Sequence, residues 1–480
     1  MPNSYIKLAG VLALILNRVD LENDYHSSRS VKTSLSAFEF CLRNSDPKKL
    51  VDNAVKLKKS QLMLTDILNN ITKLNLDNYE SIYVVGAGKA AAKMLIAIST
   101  ILKQRLSGGA ITVPHDMGKT KIGSAIKIRH INVTAAGHPL PDEAGVQGTI
   151  RIVELLKKAT KFDLIFCLVS GGGSALLPLP LNGISLHEKQ KITNALLAVG
   201  ATISEVNVIR KHLSLVKGGR LVRYVTSGCT VVTLILSDVI GDEIDIIASG
   251  PTVPDRSTFQ DAADILKKYG LWQKPFTSVT RLITKGINGE IEDTPKEGDP
   301  IFKNVHNILI GNNLLLCNYA AKYLGKHVNK VFNLGSSFDG EAREFGLFLA
   351  DLGKDAIRSP ESVALVLGGE TTVTLNRFQR NGLGGRNQEA VLSAALKCNF
   401  PPGVDIAILC MSTDGVDGNS KAAGAILTPE TISRIKESVR FKEHLCRHDS
   451  YRALRKLRSL VVTGRTGTNL NDIAIVCKIA

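Results

Sequence analysis

A chain of 480 residues is too long for one ordinary core, so two domains are expected. Hydrophobic residues make up 44 % and charged residues 22 %, as in water-soluble globular proteins, and the apolar stretch from Leu8 to Leu16 is too short to span a bilayer. The net charge of +16 raises nucleic-acid binding, but aromatics are only 5 % and no zinc, homeodomain or RNA-recognition signature is present, so attraction of small anionic substrates to a positive cleft is favoured.

In chain order, residues 1–30 read as a leader or loose extension. Asp20, Glu22 and Asp24 closely follow the apolar run, and Lys7, Arg18, Ser27, Ser28 and Arg29 would make only a poor mitochondrial leader. Residues 34–74 read as helical segments, and 75–80 are mostly polar. Short apolar runs bounded by glycine then read as buried parallel strands. Ile82 to Val85 leads into Gly86-Ala-Gly-Lys89, Leu164 to Val169 into Ser170-Gly-Gly-Gly-Ser174, and Val231 to Leu236 into Ser237-Asp238. Residues 286–303, rich in Gly, Pro and charge, are the linker candidate, which sets domains at 31–285 and 304–480. Beyond it, Asn307 to Ile310 restarts the pattern, Val363 to Leu367 leads into Gly368-Gly-Glu370, and Ile406 to Met411 into the loop 412–418. The last strands, Ser459 to Val462 and Ile473 to Val476, flank a loop too short for a helical crossover. They are expected to be antiparallel, in a mixed sheet. The eight cysteines include no C-x-x-C pair, so zinc spacing is absent and a reducing compartment is expected.

Loops at the carboxyl ends of strands build the ligand site in open α/β sheets. Gly86 to Ala92 matches a loose dinucleotide fingerprint, but no acid lies between Lys89 and Gly109, and Asp116 is the first to follow. Lys89 stands at a helix start, where a cation is disfavoured unless an anion binds alongside; otherwise it is a solvated turn residue. A P-loop is absent: Gly118-Lys119-Thr120 mimics its tail, but Val113 stands where its first glycine belongs. The loop Ser170, Gly171, Gly172, Gly173, Ser174 can turn backbone N–H groups onto a phosphate, or be a flexible turn. Asp238, Asp414 and Asp417 follow strands, where carboxylates hold Mg²⁺ beside phosphates, or merely form turns. Arg386, opening a helix with Asn387, calls for a carboxylate or phosphate to face. Arg210, Lys211 and His212 clamp an anion or are plain surface charge. His138, before a proline, is a weaker candidate base.

The segments GHPLPD (137–142), VSGGGSALLPLP (169–180), GATISEVNVIRKHLSLVKGG (200–219), LILSDVIGDEIDIIASGPTVPD (234–255), GGETTVTL (368–375), GGRNQE (384–389), STDGVDG (412–418) and TGRTGTNLND (463–472) resemble the glycerate 2-kinases, a two-domain family sometimes labelled hydroxypyruvate reductase in bacteria. The resemblance runs from about residue 80 to the C-terminus. It implies two Rossmann-like α/β domains, a mostly parallel sheet in the first and a mixed sheet in the second, with the active site in the interdomain cleft. It implies ATP- and Mg²⁺-dependent phosphorylation of D-glycerate to 2-phosphoglycerate. Lys89, Arg386 and Asp238 are the expected catalytic residues. The loop 170–174, Arg210, Glu370, Asn387 and Asn469 are expected to bind substrate and phosphate, and Asp414 and Asp417 the metal. Lys421 and Arg465 depart from the family pattern, which usually has an acid at the first position and often a proline at the second. The alternatives are an NAD(P)H-dependent hydroxypyruvate reductase, disfavoured by the missing ribose-binding acid, and a catalytically impaired sugar-acid binding or regulatory protein. The expected partners are small molecules, with no nucleic acid and no membrane; a homodimer stays open. The expected location is the cytoplasm, with the mitochondrion as the second choice.

Overall fold

The computed structural model describes residues 14–25, 28–118, 130–273, 275–375, 382–401, 403–436 and 440–480. The chain divides into two compact units, one comprising Pro47–Gly311 and the other Met1–Asp46 with Asn312–Ala480.

The unit Pro47–Gly311 opens with helix Pro47–Ala54, followed by a three-stranded antiparallel meander: β1 (Val55–Lys58), β2 (Gln61–Thr65) and β3 (Ile71–Asn75). The expectation of helix across 34–74 therefore fails beyond Ala54, where the second of two helices, Arg29–Asn44 and Pro47–Ala54, ends. Lys59 and Asn69 both take a left-handed backbone, at φ 56° and 66°, and turn the chain between strands. The apolar residues of β2 alternate, with Leu62 and Leu64 buried and Met63 exposed, which is the period of a half-buried strand.

Six further strands form the main sheet: β4 (Ser81–Ala87), β5 (Leu106–Pro114), β6 (Ile131–Ala136), β7 (Asp163–Val169), β8 (Thr230–Leu236) and β9 (Val305–Gly311). Their order is β6-β5-β4-β7-β8-β9, and every pairing is parallel. This is the doubly wound order in which the chain steps outward from the centre first one way and then the other. The switch lies between β4 and β7, where such folds bind ligands.

The expected linker and domain start are corrected here. Strand β9 pairs with β8, so residues 304–311 belong to this first sheet rather than to a second domain. Residues 286–303 are tied down: Arg220 donates to the carbonyl of Glu292 (2.9 Å), His212 pairs with Asp293 (2.9 Å), and the amide of Asp255 donates to Pro295 (2.9 Å).

The other unit carries β10 (Lys330–Asn333), β11 (Val363–Gly369), β12 (Asp405–Ser412), β13 (Gly424–Leu427), β14 (Leu460–Val461) and β15 (Asp472–Ile479), in the order β10-β11-β15-β12-β13-β14. Only β10 and β11 pair in parallel, so the sheet is mixed, as expected. Strands β14 and β15 run in opposite directions but are not neighbours. The central strands are buried on both faces. Ile406, Ile408 and Cys410 of β12 join the core under helices Ala342–Arg358 and Arg386–Lys397, whereas Ala407, Leu409 and Met411 join the core under Arg29–Asn44 and Asn313–Leu324. Two-sided burial is why these strands read as unbroken apolar runs.

The segment read as a loose extension is, where described, part of this unit. The amide of Leu16 donates to Val462 (2.7 Å), and the buried Tyr25 hydroxyl meets Ser459 (3.0 Å) and the carbonyl of Arg458 (3.1 Å). Residues 1–13 and 26–27, which hold most of the apolar N-terminal run and Ser27, lie outside the described residues, as do Lys119 and Thr120. Among the described residues no helix is long and apolar enough to cross a membrane. All eight cysteines are unpaired, and only Cys446 is exposed.

Candidate functional site

At the β4/β7 switch point the glycines of the fingerprint-like loop are needed for packing inside the protein. A methyl at Gly86 would stand 2.3 Å from the carbonyl of Leu168, and one at Gly88 2.1 Å from Ser170 Oγ. The two loops are stitched together: Lys89 N donates to the carbonyl of Gly171 (2.9 Å) and Ala90 N to Ser170 Oγ (3.0 Å). Ser170 is buried and spends its hydroxyl at the start of helix Ala91–Leu102. It therefore positions the glycine loop.

The rest of that loop meets reactive groups. Gly171 lies under the carboxylate of Asp238, so close that a methyl there would be 1.9 Å from Oδ2. Gly172, left-handed at φ 79°, lies against the His138 ring and the Lys89 stem, at 2.8 and 3.3 Å from where a methyl would be. The structure thus brings Lys89, His138, Gly171, Gly172 and Asp238 together. Burial pushes the Asp238 carboxyl above its ordinary range, and the Lys89 charge pulls it back. Ser174 faces the same region and is held by Ser249 (2.9 Å) and by Lys217 Nζ, which donates to its carbonyl (2.9 Å) and hydroxyl (3.2 Å).

A cavity of about 560 Å³ opens beside this cluster, lined in part by His138, Gly172, Ser174 and Asp238. It also holds three cations: Arg210, which was expected, and Lys189 and Lys217, which were not. Lys189 is 6 % exposed, and its ammonium has no hydrogen-bond partner. Burial, then the charges of Arg210 and Arg220, push it down to about 7. Lys217 is also lowered, by burial and then by Lys189 and Arg210, and burial lowers Arg210. Three crowded cations are costly without an anion to face them. The sequence signal for Lys189 was its register: Leu186, Lys189, Gln190, Thr193, Asn194 and Leu197 share one face of helix Leu186–Ala198, and all line the cavity.

In the other unit, Arg386 opens helix Arg386–Lys397 and finds its carboxylates within the chain. Its Nε donates to Asp472 Oδ2, its Nη2 to Asp472 Oδ1 (3.1 Å), and its Nη1 pairs with Glu370 (2.9 Å). Asp472 was not singled out from the sequence. It is buried, which raises its carboxyl, while Arg386 draws it down.

Asp417 was expected to bind metal, and its geometry speaks against that. It is 1 % exposed, and its two oxygens accept from the backbone and side-chain N–H groups of Asn387 (3.1 and 3.3 Å) and Gln388 (2.9 and 2.9 Å). It caps the helix start, where an anion is favoured. Burial and then the charge of Asp472 push it up to about 6. Asn387 is accordingly a buried partner of Asp417. Asp414 closes a local turn, accepting from Ser412 Oγ (3.0 Å) and Val416 N (2.9 Å), and Asn469 accepts from Asn471 N (3.3 Å). Among the described residues no three His, Cys, Asp or Glu converge as a metal cage. Lys421 and Arg465 are exposed loop residues.

Comparison with known proteins agrees with this framework. Residues 33–284 match the family described as Domain of unknown function (DUF4147), and residues 363–472 match the MOFRL family. The chain is 38 % identical to the glycerate 2-kinase of Pyrococcus horikoshii over 90 % of its own length and 94 % of the relative's. It is 41 % identical to the D-glycerate 2-kinase of Thermotoga maritima, over 90 % and 99 %. The crystal structure of a glycerate kinase from Thermotoga maritima superposes with a TM-score of 0.78 at 36 % identity, covering 93 % of this chain and 99 % of that one. The chain belongs to the glycerate 2-kinase family.

Proposed function

We propose that the chain transfers the γ-phosphoryl group of ATP to the 2-hydroxyl of D-glycerate, giving ADP and 2-phosphoglycerate. The observation that carries this reading is the cavity in which a glycine-rich loop, one carboxylate and three cations meet. Phosphoryl transfer asks a protein mainly for positioning and charge neutralisation, and this cavity offers both.

Lys89 and the N–H groups of Gly171, Gly172 and Ser174 take the charge that builds on the transferring phosphoryl oxygens, while that of Gly173 is held by the carbonyl of Ser170 (3.1 Å). Asp238 orients the attacking hydroxyl and accepts its proton. Mg²⁺ usually needs only one or two protein carboxylates beside substrate phosphates, so the lack of a cage does not count against it. Asp238, partly exposed beside the glycine loop, fits such an ion, whereas Asp417 does not. Bound there, Mg²⁺ would neutralise charge on the phosphate oxygens.

The reductase alternative is set aside on the relatives' activity rather than on spacing alone, because Asp116 stands two residues past the end of β5. The impaired-kinase alternative rested on Lys421 and Arg465, both exposed loop residues. The unpaired cysteines support a reducing compartment. The test is incubation with D-glycerate and Mg-ATP, followed by phosphorus NMR and ADP measurement. Expected is stoichiometric ADP and a phosphate ester at C2. NADH oxidation with hydroxypyruvate and no ADP from glycerate would overturn it.

A further inference from the structure

The cavity is too large and too divided in character for glycerate, a three-carbon acid with almost no apolar surface. One end is cationic, with Lys189 and Arg210, while the Lys217 ammonium behind them is held by Ser174. The other is apolar and open. Leu197 and Ile203 line it while remaining 50 and 54 % exposed. Exposed apolar side chains gathered at one pocket mouth mark a binding surface.

The two ends are set apart by a helical hairpin. Helix Leu186–Ala198 carries Lys189 in its first turn and Leu197 in its last. After a short turn, helix Ile203–His212 carries Ile203 at its start and Arg210 near its end. The two helices pack against each other, and a short connection makes them antiparallel neighbours. Leu197 and Ile203 therefore sit at the hairpin end, and Lys189 and Arg210 at the other, where their charges repel. At ~1.5 Å per residue, each pair of ends is separated by roughly 10–12 Å along the helix. That is the reach of an extended nucleoside triphosphate.

The other nucleotide loops are closed to this role. The fingerprint-like glycines are filled by Leu168 and Ser170, and the N–H of Ala90 is already taken by Ser170. By contrast, the Lys189 ammonium lacks any partner, and no acid offsets the burial of Arg210.

The geometry points to this cavity as the seat of the nucleotide, with the triphosphate against Lys189 and Arg210 and the purine ring against Leu197 and Ile203. The inference rests on the kinase reading only for the name of the nucleotide. Binding is measured without turnover, so the two fail separately.

The test uses the full chain, calorimetric titration with ADP and with adenosine, and KM values for ATP and D-glycerate. Leu197→Asp and Ile203→Asp change exposed side chains and leave the core intact. Each is expected to weaken ADP and adenosine at least tenfold and raise KM for ATP, with KM for glycerate within twofold. Lys189→Gln is expected to weaken ADP at least tenfold and adenosine less than twofold. Unchanged nucleotide binding in Leu197→Asp and Ile203→Asp, or a rise confined to KM for glycerate, would overturn the assignment. So would a wild-type chain that binds no ADP. A wild type that binds ADP with this mutational pattern yet consumes no ATP with glycerate would keep the nucleotide seat and defeat the proposed substrate.

Discussion

The carboxylate of Asp238 lies directly against the α-carbon of Gly171, leaving no room for a methyl group: Oδ2 would be 1.9 Å away and Cγ 2.5 Å. Gly171 is not among the left-handed glycines, so its need for hydrogen is imposed by that one side chain. Gly171→Ala should therefore displace Asp238 and little else. We expect kcat to fall on the order of 10²-fold, the cost of a small misplacement of a reacting group. Thermal stability should change little. Adding Gly171→Ala to an Asp238→Ala enzyme should cost almost nothing further. A Gly171→Ala enzyme with wild-type kcat would show that the position of Asp238 is not used.

Lys89 has two effects that can be separated. It faces the phosphate loop, and it holds down the Asp238 carboxyl that burial raises. Lys89→Ala should lower kcat by roughly 10²–10³, as when one preorganised donor is removed. The sign of its pH effect follows from the second role. Without the neighbouring cation the Asp238 carboxyl rises further, so the acidic limb of the kcat profile should move to higher pH. A pH profile that shifts downward, or a kcat within about threefold of wild type, would remove Lys89 from the site.

Arg386→Lys should not behave as a conservative change. The guanidinium contacts Asp472 through two nitrogens and Glu370 through a third, and an ammonium cannot present that fork. Steady-state kinetics should show KM raised or kcat lowered by at least about tenfold, the loss of one charge-assisted contact. Wild-type kinetics with a lowered melting temperature would make Arg386 purely structural.

What the sequence made legible was the strands buried on both faces, because β7, β8, β11 and β12 each form one apolar run. It misled where elements belong together. Residues 286–303 have linker composition, yet Thr294 is buried there and β9 follows in the sheet behind it. Asp472 carries no loop signal in the sequence, for a topological reason. Asp238 and Asp414 follow strands, whereas Asp472 opens β15. Because β15 runs antiparallel to both neighbours, its first residue lies level with Gly369 and Ser412, the last residues of β11 and β12. Lys189 shares its helix with Glu188 and Lys191, and only the fold shows its face to be a cavity wall.

Asp417→Asn separates capping from metal binding. The native carboxylate accepts four N–H contacts at the start of helix Arg386–Lys397, whereas an amide offers one acceptor oxygen and turns an N–H₂ toward donors. Denaturant unfolding should show a loss of about 1–3 kcal/mol, typical of a buried hydrogen-bonding group left unsatisfied. The Mg²⁺ concentration for half-maximal activity should stay within twofold. A tenfold rise in that concentration at unchanged stability would return Asp417 to the metal.

Lys421 decides whether the departure from the family pattern carries a cost. It lies in the connection between β12 and β13, and the segment that follows is strand, so an acid here has no helix start to cap. The Lys421 side chain is exposed, and Asp417, four residues earlier, is fully engaged with Asn387 and Gln388. A charge change at such a position acts only through solvent-screened interactions, typically within ±0.5 kcal/mol. Lys421→Glu should therefore leave the melting temperature nearly unchanged and turnover within about threefold, a barrier change below ~1 kcal/mol. The measurement is kcat with D-glycerate and Mg-ATP beside a thermal melt. A gain of about a hundredfold or more would mean that the natural chain is an impaired kinase and would favour the regulatory role over the catalytic one.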